Sequence, residues 1–300
     1  MIEGWEYYNH AAIPLTPPHV MPDLSSLEDG RIWQMNGKRP ILAKYETDWD
    51  CIANTGWWHL IREAPFSLED LKRSPRQNIR RALKFVEVDR IDAATHVNEL
   101  WECRHAAFLG YKLASNEGTR EQFELECLRA RENGIEYWGG RERASGKLIG
   151  FMSVSPRTGW AKICTAKFDP RYLRLRVSDA LYATVLGHYL NERGCSFISS
   201  GSRSINHVTN TQSYKEEHFG YRKAFCRLHI VYAPRIRWLM RLIYPFRRLV
   251  WCVGEHNKKI HLIGALLKMD EIARGDENPP LGNPPNGAGV SATSSEVSGV

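Results

Sequence analysis

One stretch, from Ile135 to Tyr232, limits the folds open to this chain more than any other. Its hydropathy reads strand, strand, strand, helix, strand, helix, strand. Glu136–Glu142, Leu148–Ser155 and Trp160–Phe168 alternate as strands, separated by turns at Ala144-Ser145-Gly146-Lys147 and Thr158-Gly159. Asp169-Pro170 ends the third strand, because proline cannot continue a ladder. The basic turn DPRYLRLRVS then feeds a helix that Ser178 caps and that runs through Arg193 to Gly194. CSFISSG reads as a short buried strand and NHVTNTQSYKEEHFG as a polar helix closed by Gly220. YRKAFCRLHIVY reads as one long strand. A strand that ends in a basic turn and opens a helix offers orphan amides and a positive dipole end to an anion.

Upstream, residues 1–30 are rich in proline and aromatics and read as an ordered but irregular segment. Arg31 to Tyr45 reads as a β-hairpin about Asn36-Gly37. Trp49, Trp57 and Trp58 read as packing residues. Ser74-Pro75 is a helix start, with Ser74 as N-cap, for the basic segment RQNIRRALKF. FVEVDRI alternates like a strand. Helices follow over about 92–108 and 119–133, the second opened by a Thr119/Gln122 capping box and closed by Gly134.

Past Pro234 the chain turns apolar and strongly basic: RIRWLMRLIYPFRRLVWCVG, then HNKKIHLIGALLK. Trp238, Leu239, Leu242, Ile243, Phe246, Leu249, Val250 and Trp251 interleave with Arg235, Arg237, Arg241, Arg247 and Arg248. Over 235–272 this is an amphipathic pattern suited to an anionic membrane surface, a cover packed on the domain, or a homodimer face. From about Gly275 onward, Pro, Gly, Ser and Asn dominate, and disorder is expected.

The net charge of +7 favours an anionic partner without choosing one. Seven scattered cysteines without a CxxC pair argue against a disulfide framework and a structural zinc, so no metal is expected. The segment MIEGWEYYNH lacks the basic flank and apolar core of a signal peptide. No run of about 18 apolar residues spans a bilayer. The expected location is cytoplasmic, or peripheral on the inner face of the membrane. No P-loop, GxGxxG or nucleophile elbow occurs.

The order from Lys84 to Tyr232, β-α-α-β-β-β-α-β-α-β, resembles the GNAT N-acyltransferase superfamily over about half the chain. SPRQNIRRALK is similar to the basic helix that opens the second GNAT-like domain of Fem-type peptidoglycan aminoacyltransferases. DPRYLRLRVSDALYATVLGHYLNERG looks like the turn and helix where that superfamily grips a carrier pyrophosphate, and HFGYRKAF like its closing helix-Gly-aromatic-strand step. No glycine stands in RYLRLRVS, and Glu216 stands where a tyrosine often precedes the closing glycine. The resemblance implies an α/β (α+β) fold, with a mixed, mostly antiparallel twisted sheet flanked by helices. The expected divisions are an N-terminal extension or degenerate half-domain with a β-hairpin (1–73), a GNAT-like domain (74–232), basic amphipathic helices (233–274) and a disordered tail (275–300).

It also implies an acyltransferase using acetyl-CoA or another acyl-CoA, or aminoacyl-tRNA, with a small amine or an amine of a cell-envelope or lipid-linked precursor as acceptor. The alternative is a non-catalytic adaptor of the same fold on a membrane or nucleic acid. Acyl transfer needs an anion grip, a base for the amine and an acid for the leaving group. The grip falls on Phe168, Arg171, Arg174, Arg176, Val177, Ser178 and Asp179. Acceptor contacts fall on Ser200, Ser202, Arg203 and Asn206, at the carboxyl end of a strand. His207 is the expected base, and Tyr214 or Glu216 the expected acid. The basic helix at 76–84 is a solvated face or a tRNA contact.

Overall fold

The computed structural model describes residues 2–35, 37–110, 117–205, 211–254 and 258–275. In chain order the elements are β1 (Trp5–Tyr8), β2 (Ala11–Pro14), α1 (Ser25–Glu28), β3 (Leu42–Thr47), β4 (Trp58–Glu63), α2 (Arg73–Phe85), β5 (Val86–Ile91), α3 (Val97–Leu109) and α4 (Arg120–Leu128). They continue as β6 (Glu136–Glu142), β7 (Leu148–Arg157), β8 (Trp160–Phe168), α5 (Val177–Leu186), β9 (Phe197–Ser202), α6 (Thr211–Phe219), β10 (Arg222–Phe225), β11 (Arg227–Tyr232), α7 (Pro234–Ile243), α8 (Arg247–Gly254) and α9 (Lys258–Arg274). The fold is mixed α+β, with two mostly antiparallel sheets flanked by helices.

The chain divides into two compact units. The larger comprises residues 58–203 and 209–224. Its seven-stranded sheet runs β10-β4-β9-β8-β7-β6-β5. Leu100, Cys103, Phe123 and Cys127 of α3 and α4 pack on Tyr137, Leu148 and Phe151 of the sheet. Helix α5 also lies on β5, β6 and β7. It is apolar nearly all round, with Val177, Ala180, Leu181, Tyr182, Val185 and Leu186 buried, as a central helix must be. The smaller unit comprises 1–57, 204–208 and 225–300. Its sheet runs β1-β2-β3-β11. β3 pairs antiparallel with β11 from Leu42↔Tyr232 to Thr47↔Arg227. Leu42, Tyr232, Met240 and Leu267 form the core that α7 and α9 cover.

Several local expectations are corrected. Residues 5–14 form a β-hairpin of β1 and β2 where irregular chain was expected. The hairpin expected over 31–45 reduces to one bridge, Met35↔Lys38. There Arg31–Trp33 closes a 3-10 turn whose first amide donates to Asp29, which buries Ile32, while Leu42–Thr47 pairs elsewhere. The N-cap of α2 is Lys72 rather than Ser74, and Pro75 is buried in its first turn. The helix expected from 92 begins at Val97, and that expected through 133 ends at Leu128, although its Thr119/Gln122 capping box is present.

Ser178 does not cap α5. The turn at 170–175 is 3-10, capped by Asp169, and it hands over through Arg176 in the left-handed region (φ +56°). Beyond Leu186 the helix widens into a π turn over Gly187–Glu192. The strand expected over 221–232 divides at buried Cys226, because its halves pair in different sheets. The expected tail beyond Gly275 lies outside the described residues.

Candidate functional site at the carboxyl ends of two parallel strands

β8 and β9 are parallel neighbours in the large sheet, joined from Trp160↔Phe197 to Lys162↔Ser199. Beyond that register β8 runs on to Phe168 and β9 to Ser202 without pairing to each other. Two parallel strands that part leave facing backbone donors and acceptors to be satisfied by something else. β8 leads through the basic turn into α5, so the helix N-terminus belongs to the same end of the sheet.

The close seat of that helix depends on a feature the sequence reading passed over. Gly140 and Gly150 are direct cross-strand partners, and Phe168 is the next partner in the row. A Cβ at Gly140 would lie 2.8 Å from Val177 Cγ2, and one at Gly150 2.7 Å from the same atom. Glycine inside a strand marks close approach, and here it admits the first turn of α5. The signal was available in Trp138-Gly139-Gly140 and Gly150, both mid-strand.

The residues expected to grip an anion sit at the end of β8, in the basic turn and in the first turn of α5. The amide of Asp179 donates to the Arg176 carbonyl (2.9 Å), which leaves those of Val177 and Ser178 as first-turn donors. Arg171 is held by Asp169 in a fork at 2.9 and 2.5 Å, and that guanidinium keeps the Asp169 carboxyl below its ordinary range. Arg174 is exposed and has no ion-pair partner among the described residues. Arg176 reaches Asp179 at 3.5 Å.

Asp179 itself is buried and faces α6. The Tyr214 hydroxyl donates to Asp179 Oδ1 and lies 3.1 Å from Ser178 Oγ. Burial first, then the Asp179 charge, pushes the Tyr214 phenol far up, so its proton stays in place. The His218 ring lies 4.4 Å from that of Tyr214, tilted at 39°, with Nδ1 3.8 Å from Asp179. One turn of α6 therefore ties to one turn of α5 through Asp179.

Beside this network lies a residue the sequence reading missed. Lys215, 7% exposed, donates from Nζ to Ser200 Oγ at the free end of β9. Its ammonium lies 5.6 Å from the Tyr182 ring centre, and Tyr182 also hydrogen-bonds Ser200. No carboxylate pairs with it among the described residues. Burial pulls the Lys215 pKa down from 10.5 to about 8. Nothing in the polar run around it marked the buried position, because α6 has no clear apolar stripe.

Of the other expected residues, the Ser202 carbonyl accepts from Gln212 Nε2 (3.3 Å) and the Arg203 amide donates to Trp58 O (2.8 Å). Glu216 lies 3.5 Å from Lys223, some 200° round α6 from Tyr214. Asn206 and His207 lie outside the described residues. The structure thus brings Phe168, Arg176, Val177, Ser178, Asp179, Ser200 and Tyr214 together, and sets Glu216 apart. On α2, Arg76 and Arg80 pair with Glu69, both at 2.6 Å. Among the described residues no three His, Cys, Asp or Glu side chains gather as a metal site would require.

No family model and no curated protein matches the sequence. Solved structures do. FemX superposes at a TM-score of 0.54 with 9% identity, over 73% of this chain and 78% of that one. The fold is like that of FemX. The C-terminal domain of a putative lysylphosphatidylglycerol synthetase from Agrobacterium fabrum gives a TM-score of 0.45 and 13% identity, over 74% and 78%. The PaiA N-acetyltransferase from Thermoplasma acidophilum, solved with coenzyme A, gives 0.30 and 17% over 37% and 74%.

Proposed function

We propose that the protein transfers an acyl or aminoacyl group from coenzyme A or aminoacyl-tRNA to an amine by direct attack, with no covalent enzyme intermediate. The observation that carries this reading is the Lys215–Ser200 pair at the free end of β9, beside the first turn of α5. The parted strands supply backbone partners for an extended, amide-bearing donor arm. Arg174, Arg176 and the Val177 and Ser178 amides face its phosphates.

In the reaction, the acceptor nitrogen attacks the donor carbonyl carbon. A C–N bond forms and the thioester C–S or ester C–O bond breaks. With Lys215 starting as the neutral amine, which its lowered pKa makes accessible, the acceptor's proton passes to Ser200 Oγ as the Ser200 proton passes to Lys215 Nζ, and the ammonium so formed protonates the leaving sulfur or oxygen. A lysine with a pKa of about 8 suits both directions of that transfer near neutral pH. Tyr214, whose proton is directed at Asp179, holds α6 against α5 and so positions Lys215. The acceptor is a small amine or an amine on a cell-envelope or lipid-linked precursor.

Calorimetric titration with acetyl-CoA and with charged tRNA tests the reading. Micromolar binding of one of them is expected, weakened at least about tenfold by Arg174→Glu with Arg176→Glu. An adaptor that keeps the fold without the chemistry is favoured by one observation, that Asp169 already occupies Arg171. Silence from both donors would establish that second reading.

A further inference from the structure

The helices after β11 carry two apolar stripes, one packed and one exposed. The first stripe, Ile236, Met240, Ile243, Tyr244 and Val250, packs into the core of the smaller unit with Leu42, Tyr232 and Leu267. The second is Trp238, Leu242, Phe246, Leu249 and Val253, at steps of four, four, three and four residues. All five are exposed, Trp238 at 70% and Leu242 at 71%, and Leu239 beside them is exposed as well. Helical backbone continues from α7 through the tight turn at Tyr244–Phe246 into α8, so the steps keep these side chains on one side. A soluble surface normally scatters such residues singly.

The charge around the stripe selects its occupant. Residues 233–254 contain five arginines and no aspartate or glutamate. Arg247 turns inward to Glu271 (3.1 Å), and Arg235 bonds the carbonyls of Arg39 and Pro40. Arg237, Arg241 and Arg248 are exposed with no ion-pair partner among the described residues, and Arg241 lies 5.3 Å from the Trp238 ring centre. A two-fold dimer through this face would set arginines against arginines, because such an interface meets itself. A flat anionic phase with an apolar interior matches both parts of the pattern: lipid tails take the stripe and headgroups take the guanidinium groups. No helix among the described residues is long and apolar enough to cross a membrane, so the contact is parallel to the surface.

We infer that α7 and α8 dock the protein on an anionic lipid bilayer, with Trp238, Leu242, Phe246, Leu249 and Val253 inserted and Arg237, Arg241 and Arg248 at the headgroups. This surface is independent of the transfer site, whose residues lie in the other unit.

Flotation of the full chain with phosphatidylcholine vesicles, with and without phosphatidylglycerol, tests it. Binding is expected only with phosphatidylglycerol, at least about tenfold above the neutral vesicles, and falling as salt rises. Arg237→Ala, Arg241→Ala and Arg248→Ala together should remove that preference. Leu242→Glu with Leu249→Glu should abolish binding, with an unchanged melting temperature, since both side chains are already in water. Equal binding to neutral vesicles, or none to either, overturns the proposal. So does a concentration-dependent dimer by sedimentation that the Leu242→Glu, Leu249→Glu variant dissolves, which would assign the face to a second copy.

Discussion

Lys215 in the larger unit and Lys268 in the smaller are each 7% exposed, yet their surroundings are opposite. Lys268 sits 3.0 Å from Glu271, whose other oxygen takes Arg247 at 3.1 Å, and Asp270 holds Arg274 one turn of α9 away. Every buried charge there has a counter-charge. Lys215 has a hydroxyl and an aromatic face. A buried ammonium is expensive unless paired. The paired lysine fastens a helix. The unpaired one weakens the fold, and folds keep such residues where a proton has to move.

The largest expected effect separates the two at once. Lys215→Met should lower transfer about 10²–10⁴-fold and at the same time raise stability at pH 7 by about 1–3 kcal/mol. The sign follows from the lowered pKa. Between about 8 and 10.5 the unfolded chain binds more protons than the folded one, so wild-type stability rises with pH across that window. Below it the full penalty is present. The methionine variant should lose that slope, which denaturation at a series of pH values would read. A variant that is less stable and still active would end the comparison.

Next in size is Lys268→Met, which should move stability the other way, down by about 2–4 kcal/mol, because Glu271 stays buried with only Arg247. Transfer by the folded variant should not change. Equal signs for the two methionine variants in urea denaturation would mean that pairing does not distinguish the sites.

Gly150→Ala should cost about 1–3 kcal/mol by driving a methyl into Val177, and should weaken donor binding by lifting the first turn of α5. Val177→Ala alone loses packing. The double variant should recover at least about 1 kcal/mol over the sum of the two, the mark of direct contact. Strict additivity would mean that α5 does not rest on the glycine pair.

The legible and illegible parts of the sequence follow the same physics. β6, β7 and β8 were legible because alternation and turn chemistry agree, and the Asp169-Pro170 stop and the basic turn placed the α5 start within two residues. Boundaries failed where tertiary pairing overrode local signals: the hairpin expected over 31–45 leaves one bridge, Met35↔Lys38, and 221–232 is cut in two by the demands of separate sheets. At the site, the arginine-bearing turn could be read, since charge near a helix start is a local pattern. Lys215 could not be read, because its burial comes from β9 and α5, far away in sequence, and its neighbours Tyr214, Glu216 and Glu217 are all polar. The αL residue of the basic turn is an arginine, so a search for glycine there finds nothing.

The smallest expected effect concerns Glu216, the residue after Lys215 and some 200° round α6 from Tyr214. Its contact with Lys223 is 3.5 Å between side chains 31% and 39% exposed, so solvent screens most of it. Such a pair contributes about 0–1 kcal/mol. Glu216→Gln should therefore shift stability by no more than about 0.5 kcal/mol and leave transfer within about twofold. Kinetics with the same acyl donor used for Lys215→Met would decide it. A fall of about a hundredfold would give the acid role to Glu216 and leave Lys215 as the base alone. An unchanged rate would confine the chemistry to Lys215, a lysine buried without a carboxylate partner among the described residues.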